Sequence, residues 1–234
     1  MNEGQFGLMY GVGVGPGDPR LLTLRAIEVM QGVSTVIVPR SRGDRDSLAL
    51  SIARPHLLRR CEILDAILPM TEDREVLEKA WDETAVMMIA QALGGKSVAF
   101  LTLGDAMLYS TWSYVLRALR RRMPGALVKT IPGITAMSAC AAATGVPLAE
   151  GRAPLIIWPD APPEDTAALL KIAPNLVFMK ASRHLGALAE IADVSTVAVR
   201  RCSMSDEQTT RDLRSWEDDG EYFTTVLMHA EEGE

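Results

Sequence analysis

The sequence predicts an α/β fold with a mostly parallel N-terminal sheet and a mixed C-terminal sheet. In the first half, short apolar runs alternate with helical periodicity, the pattern of parallel strands joined by helices. After about Gly151 the closing strands follow one another without intervening helices, which indicates a mixed sheet. At about 150 residues per domain, a chain of 234 residues allows one large domain or two smaller ones. We predict an N-terminal domain at residues 1–120 and a C-terminal domain at 121–234.

The N-terminal half begins with a strand, a helix and a second strand. Residues 8–14 form the first predicted strand. Asp18 followed by Pro19 predicts the helix start, because the carboxylate can cap free amides and proline suits the first helical position. Gly32 ends that helix, and the β-branched run at 35–38 predicts a second, buried strand.

The remaining elements follow from the same periodicities. Apolar residues keep helical spacing over 76–88, and the next strand, at 97–103, is followed by Gly104 and Asp105. Further predicted helices lie at 111–122, from Pro132 and Gly133 onward, after Pro163, and at 185–191. Further predicted strands lie at 126–131, 155–158, 175–179, 196–199 and 222–228.

The charge balance argues against a nucleic-acid partner. With 24 Lys and Arg against 30 Asp and Glu, the net charge is −6 and leaves no basic field for a phosphate backbone. The uncharged stretch 130–149 approaches membrane-spanning length, but it contains two prolines and two glycines, so we expect a buried helix with loops and no membrane partner. The first residues lack a basic region followed by an apolar core, so we expect a cytoplasmic protein.

The cysteines and histidines indicate neither a disulfide framework nor a metal site. Cys61, Cys140 and Cys202 are far apart and form no CxxC motif, so we expect small buried apolar side chains. The histidines are also scattered, and the pair His56 and Cys61 has no further ligands at metal spacing. We therefore predict no metal.

The richest motif is the glycine turn at 11–18 (GVGVGPGD), between a predicted strand and a predicted helix. Glycines there let a ligand approach the backbone closely. The turn does not fit the dinucleotide fingerprint G-x-G-x-x-G, because counting from Gly11 places Pro16 at the last glycine and counting from Gly13 places Asp18 there. No Gly-Lys-Ser or Gly-Lys-Thr follows, which excludes a Walker-type loop.

The run at 11–26 (GVGVGPGDPRLLTLRA) resembles the signature of the tetrapyrrole methylases, which use S-adenosylmethionine on a fold unlike the common Rossmann methyltransferases. Three further stretches agree in order and spacing: 103–112 (LGDAMLYSTW), 131–139 (IPGITAMSA) and 175–181 (NLVFMKA). The resemblance covers nearly the whole chain. It implies a two-domain tetrapyrrole-methylase-like fold with S-adenosylmethionine bound in the cleft between the domains, usually in a homodimer.

The resemblance also implies an activity. Residues 107–111 (MLYST), with 145–150 (GVPLAE), are most similar to members of the family that methylate C20 of precorrin-2 or cobalt-factor II in cobalamin biosynthesis. We therefore expect an S-adenosylmethionine-dependent C-methyltransferase with a tetrapyrrole substrate. The alternatives are another precorrin methylase regiospecificity and a non-catalytic tetrapyrrole- or nucleotide-binding module. A nicotinamide-dependent oxidoreductase is disfavoured, because the spacing of the glycines at 11–18 does not fit the dinucleotide fingerprint.

Carried over residue by residue, the resemblance implies a set of cofactor-contact positions. They are Pro16, Leu103, Gly104, Asp105, Leu108, Thr135, Ala136, Lys180 and Ser203. The match at Ser203 is looser than at the others. Each is also compatible with a structural role: a turn at Gly104 and Asp105, a helix cap at Thr135, or a solvated charge at Lys180.

Two departures from the family pattern limit what carries over. Ala106 replaces the usual proline after Gly-Asp, which removes a rigid φ from the loop. Pro39 occupies the end of the second strand, where uroporphyrinogen methylases carry an acid. Their proposed proton acceptor therefore does not transfer, and we name no catalytic residue.

The implied substrate bears many carboxylates, so a net-acidic protein must concentrate positive charge locally. Arginines near predicted strand ends are candidates, because a guanidinium group pairs with carboxylates in a forked geometry. These are Arg40, Arg42, Arg45, Arg152, Arg183, Arg200 and Arg201. Since exposed charges often contribute little to binding, we expect roughly two or three of these seven arginines to face the substrate. We select Arg40 and Arg42, with Tyr109 lining the macrocycle.

Overall fold

A computed structural model describes residues 6–41, 47–160, 162, 166–191, 194–216 and 223–230. The chain divides into two compact units, Met1–Thr135 and Ala136–Glu234. This division falls later than the predicted boundary at residue 120. The reason is that residues 128–131 form a strand paired with the first strand of the N-terminal unit.

The N-terminal unit contains one sheet of five parallel strands, in the order β3-β2-β4-β1-β5. The strands are β1 Met9–Gly13, β2 Thr35–Arg40, β3 Glu62–Ile67, β4 Val98–Thr102 and β5 Val128–Ile131. The helices are α1 Leu24–Gly32, α2 Leu48–Ala53, α3 Arg74–Ala92 and α4 Trp112–Arg122. The predicted parallel N-terminal sheet is confirmed.

The first helix begins later than predicted. Asp18 and Pro19 start a short 3-10 turn, Pro19–Leu21. The side chain of Thr23 then caps α1 by accepting a hydrogen bond from the backbone N–H of Ala26 at 3.1 Å. The prediction missed this arrangement because the sequence has two capping residues in succession, and the later one starts the α-helix.

One strand and one α-helix of the N-terminal unit were not predicted. The edge strand β3 lacks a continuous apolar run, because most of its side chains are exposed. The helix α2 has six residues, too few to show a helical period.

The helices cover both faces of the parallel sheet. On one face, α1 and α2 pack against residues such as Val12 and Leu101. On the other face, α3 and α4 pack against residues such as Ile37 and Phe100. The chain therefore leaves the adjacent strands β1 and β4 toward opposite faces. In open parallel sheets, a crevice for ligands lies at such a point, beyond the carboxyl ends of the strands.

The C-terminal unit contains a second five-stranded sheet, in the order β6-β7-β10-β8-β9. The strands are β6 Leu155–Pro159, β7 Asn175–Met179, β8 Val194–Arg200, β9 Gln208–Thr210 and β10 Thr224–Ala230. The helices are α5 Ala136–Thr144, α6 Thr166–Ile172 and α7 Leu185–Ala189. Strands β6 and β7 are parallel and the other pairs are antiparallel, so the predicted mixed sheet is confirmed. Phe178, Leu185 and Val226 lie in its core.

Within the described ranges, none of the helices has the length and apolar character required to cross a membrane.

Candidate functional site

Three loops of the N-terminal unit meet at the carboxyl edge of the parallel sheet. They follow β1, β4 and β5. The first two are joined by a two-residue antiparallel bridge. The backbone N–H of Gly15 donates to the carbonyl of Gly104 at 3.1 Å, and the N–H of Gly104 donates to the carbonyl of Gly15 at 2.7 Å. The glycine turn identified in the sequence is thus fastened to the loop that follows β4.

The three loops approach so closely that only glycine fits at their junction. A Cβ on Gly13 would lie 2.6 Å from the carbonyl oxygen of Gly104 and 2.7 Å from the nitrogen of Gly133. A Cβ on Gly133 would be closer still to that carbonyl oxygen. Beside Gly104 itself the space is open, because a Cβ there would meet only the carbonyl oxygen of Ile134, at 4.0 Å. The backbone of Gly104, which has a φ of +66°, is therefore uncovered on this side.

The carboxylate of Asp105 holds two of these loops together. Its Oδ2 accepts a hydrogen bond from the backbone N–H of Gly133 at 2.9 Å, and its Oδ1 accepts one from the N–H of Met107 at 2.8 Å. The next residue, Ala106, is fully buried. The buried side chain of Ala106 and the two hydrogen bonds of Asp105 therefore shape this turn.

The loop after β4 is also closed at its base by two buried hydroxyl groups. Oγ1 of Thr102 lies 2.9 Å from Oγ of Ser110, and each residue is only 6% exposed. Oγ of Ser110 also accepts a hydrogen bond from the backbone N–H of Trp112 at 3.1 Å. The Trp112 indole is fully buried and donates to Oγ1 of Thr130 on β5 at 2.8 Å. No sequence pattern singles out Thr102 and Ser110, although each carries a hydroxyl at one end of the loop.

The tip of the same loop presents two large side chains to solvent. Met107 is 57% exposed and Tyr109 is 44% exposed. Tyr109 has a φ of 48°, the left-handed region that non-glycine residues rarely adopt. Left-handed residues in ordered loops tend to occur at binding sites.

Arg40 ends β2 at the same edge of the sheet. Its Nη1 lies 2.8 Å from Oδ2 of Asp65 on β3, so the guanidinium group already has an acidic neighbour. Arg42, the other predicted substrate arginine, lies outside the described residues.

In the C-terminal unit, several residues with left-handed φ lie at one edge of the mixed sheet. Strands β7 and β8 flank β10 and are antiparallel to it, so they end at the same edge. Lys180 follows β7 with a φ of 61°, and Ser203 lies just beyond β8 with a φ of 65°. Asp160, after β6, has a φ of 65°. The N–H of Ser203 donates to Oε2 of Glu207 at 2.6 Å, which stabilises this conformation.

The cysteines of this unit form a buried pair. A hydrogen bond with the side chain of Cys202, together with burial, raises the pKa of the Cys140 thiol far above its usual range. Cys140 therefore remains a thiol and serves as a small packing residue. Across the described part of the chain, no cluster of three or more His, Cys, Asp or Glu side chains could hold a metal ion.

Residues 9–215 match the family model described as Tetrapyrrole (Corrin/Porphyrin) Methylases. The chain belongs to the tetrapyrrole methylase family. It is 35% identical over 231 residues to a cobalt-precorrin-2 C(20)-methyltransferase of Salmonella typhimurium, covering 95% of this chain and 96% of that one. It is 28% identical over 240 residues to a precorrin-2 C(20)-methyltransferase of Sinorhizobium sp, covering 95% of each.

The fold also matches that of a solved tetrapyrrole methylase. A uroporphyrin-III C-methyltransferase of Thermus thermophilus, complexed with S-adenosylhomocysteine, superposes with a TM-score of 0.60 at 20% identity. The match covers 95% of this chain and 97% of that one. The α/β fold expected from the sequence is that of the tetrapyrrole methylases.

In this tetrapyrrole methylase the predicted cofactor positions fall into two groups. The N-terminal unit holds Pro16, Leu103, Gly104, Asp105, Leu108 and Thr135, on the three loops that meet at the glycine junction. The C-terminal unit holds Ala136, Lys180 and Ser203. Ala136 is the first residue of α5. The structure thus brings the larger group together at one edge of the parallel sheet.

Proposed function

We propose that the protein transfers a methyl group from S-adenosylmethionine to C20 of precorrin-2 or of its cobalt form, a step of cobalamin biosynthesis. The observation that carries the proposal is the glycine junction of three loops in a tetrapyrrole methylase. The C20 position is supported by similarity over nearly the whole chain to relatives named for that reaction.

The residues at the junction fit a bound nucleotide-like cofactor. The absence of a side chain at Gly104 leaves open space beside the backbone, and the same loop carries the apolar side chains of Leu103 and Leu108. When bound, S-adenosylmethionine supplies an electrophilic methyl group on a positively charged sulfur. The protein's own contribution is to hold both reactants in line, and orientation of this kind can supply about 7–11 kcal/mol.

Substrate recognition requires both charge and an apolar surface. The tetrapyrrole carboxylates would pair with Arg40, which stands at the carboxyl edge of the sheet with Asp65 as its present partner. The exposed side chains of Met107 and Tyr109 offer apolar surface on the neighbouring loop. Pro39, the penultimate residue of β2, has no acidic side chain that could accept the proton released from C20.

The ring metal arrives with the substrate, so no protein ligand is needed to accept the cobalt form. Incubation with methyl-labelled S-adenosylmethionine and either precorrin-2 or cobalt-factor II tests the proposal. We expect label at C20 of one of the two, located by carbon NMR of the product. Label at another ring carbon would assign a different regiospecificity. Binding of the cofactor without transfer to any precorrin would favour a binding module.

We also propose a cytoplasmic homodimer, the assembly and location that the family resemblance implies. Sedimentation equilibrium should give twice the chain mass of 25.4 kDa. A single-chain mass at micromolar concentration would refute the dimer.

A further inference from the structure

The loop between β4 and α4, residues 103–111, carries five of the twelve residues expected to touch the cofactor or the substrate. A contact between two side chains joins its two ends. Thr102 is the last residue of β4, Ser110 lies near the start of α4, and their hydroxyl oxygens are 2.9 Å apart. We propose that Ser110, through Thr102, is a positioning residue that locks this loop in its cofactor-binding conformation. This inference rests on the proposed function.

The hydroxyl of Ser110 links several parts of the unit. Besides Thr102, it binds the backbone N–H of Trp112 at 3.1 Å. The Trp112 indole is in turn fixed to Oγ1 of Thr130 on β5 at 2.8 Å. A Cβ on Gly11 would overlap the indole ring, so β1 also shapes the pocket that holds Trp112. Ser110 thus ties the base of the loop to neighbouring strands.

The conformation of Tyr109 shows why such a lock is needed. Tyr109 directly precedes Ser110 and has a φ of 48°. A left-handed tyrosine is unfavourable by itself, so it persists only where neighbouring contacts determine the backbone. Without the Ser110 hydroxyl, Thr102 loses the buried partner of its own hydroxyl, and the turn at Tyr109 loses its fixed end.

Locking the loop in advance has a direct consequence for binding. A mobile loop must be ordered when its ligand arrives, and that ordering weakens affinity. Ser110 is buried and does not present its hydroxyl to a ligand. Its effect on the cofactor is therefore indirect, through the loop that carries Gly104 and Leu108.

The test compares Ser110→Ala, Thr102→Val and the double variant with wild type. Ser113→Ala is the matched control, because the Ser113 hydroxyl donates to the Ser110 carbonyl at 3.0 Å without joining the loop ends. We expect each single variant to raise the dissociation constant for S-adenosylhomocysteine about 5- to 20-fold, as the loss of one buried hydrogen bond implies. The dissociation constant of the double variant should be no higher than that of the single variant that binds less tightly, because both substitutions remove the same contact.

Two further readouts separate positioning from general stability. Hydrogen exchange in the ligand-free protein should accelerate within residues 103–111 and remain unchanged in α3. The KM for S-adenosylmethionine should rise while kcat at saturation stays within about twofold, as for an interaction that orders the binding loop without touching the reacting atoms. If Ser110→Ala does not fold, Thr102→Val tests the same contact.

The outcomes distinguish this inference from the proposed function. If wild type binds S-adenosylhomocysteine and both single variants bind it equally well, the positioning role is refuted and the proposed function stands. A lower melting temperature with unchanged affinity and unchanged loop exchange would also refute it. If wild type itself does not bind, the proposed function fails and the inference fails with it.

Discussion

Oδ2 of Asp105 lies 2.9 Å from the backbone nitrogen of Gly133, a residue 28 positions away in the chain. The same carboxylate accepts a second hydrogen bond from the N–H of Met107. Asp105 therefore acts first on the shape of the site, by fastening the loop after β4 to the loop after β5.

Replacing Asp105 with asparagine should loosen the site as a whole. An asparagine retains only one oxygen, so one of the two backbone N–H groups loses its acceptor. We expect the free energy of unfolding to fall by about 1–3 kcal/mol. Calorimetry should show affinities for S-adenosylhomocysteine and for adenosine reduced by the same factor.

Asp73→Asn is the matched control for that substitution. Asp73 also accepts hydrogen bonds from two backbone N–H groups, those of Glu75 and Val76 at the start of α3. Both of these hydrogen bonds go to Oδ1, so an asparagine can retain them, and this variant should lose little stability and keep its ligand affinity. If Asp105→Asn weakened S-adenosylhomocysteine but not adenosine, the carboxylate would be a direct ligand of the amino-acid portion.

The glycines should differ sharply in their tolerance of alanine. Gly133→Ala places a Cβ against the carbonyl oxygen of Gly104 and the backbone of Gly13, so the loops must separate. The free energy of unfolding should then fall by well over about 2 kcal/mol. Gly104→Ala has room but a positive φ, and should cost about 1–2 kcal/mol. Gly125→Ala meets nothing within 4 Å and should lie within about 0.5 kcal/mol of wild type. Denaturant unfolding measures all three, and equal losses would contradict the junction.

Arg40→Ala should raise the KM for the tetrapyrrole about tenfold, since a hydrogen bond between charged groups contributes 1.5 kcal/mol or more. Cofactor affinity should not change. Asp65→Asn removes the carboxylate that now competes for Arg40. The KM of this variant for the tetrapyrrole should therefore be equal to or lower than that of wild type. Arg74→Ala, an exposed arginine paired with Glu78 on α3, is the control and should behave as wild type. An unchanged KM in Arg40→Ala would remove this residue from the substrate site.

His229 should make the stability of the protein depend on pH. Burial lowers its pKa below the usual 6.5, with a smaller opposing effect from Glu150. Its Nδ1 is bonded to Oδ1 of Asn175 at 2.8 Å. Because the folded state disfavours the charged ring, His229 supports stability above pH 6.5, and this contribution is lost as the pH falls from 6.5 through the lower pKa of the folded state.

The measurement is urea unfolding at pH 7.5 and at pH 5.5, for wild type and for His229→Gln. Wild type should lose more stability on acidification than the variant, which has no imidazole to protonate. Identical losses in the two proteins would show that the environment of His229 does not oppose its charge.

Much of the fold followed from local patterns, and the failures have physical causes. The parallel strands were visible because burial on both faces makes them continuous apolar runs, as at residues 98–102. Strand β3 was invisible because an exposed edge strand needs no such run. The ion pair of Arg40 could not be foreseen for the same reason, since Asp65 lies on β3.

The site was predictable at its glycines and unpredictable in its hydrogen bonds. Gly13 and Gly133 stand out because close backbone approach permits no other residue, and Gly104 stands out because its φ is positive. The pairing of Thr102 with Ser110 joins residues eight positions apart and follows no helical or strand period. It appears only when the end of β4 and the start of α4 are placed in space.

The position of β1 between β4 and β5 affects how the protein folds. Met9 pairs with Val98 on one side and with Val128 on the other, so its neighbours are translated about a hundred residues later. At about 5–20 residues per second, this apolar strand remains unpartnered for several seconds during translation. The N-terminal sheet can therefore close around β1 only after β4 and β5 have been synthesised.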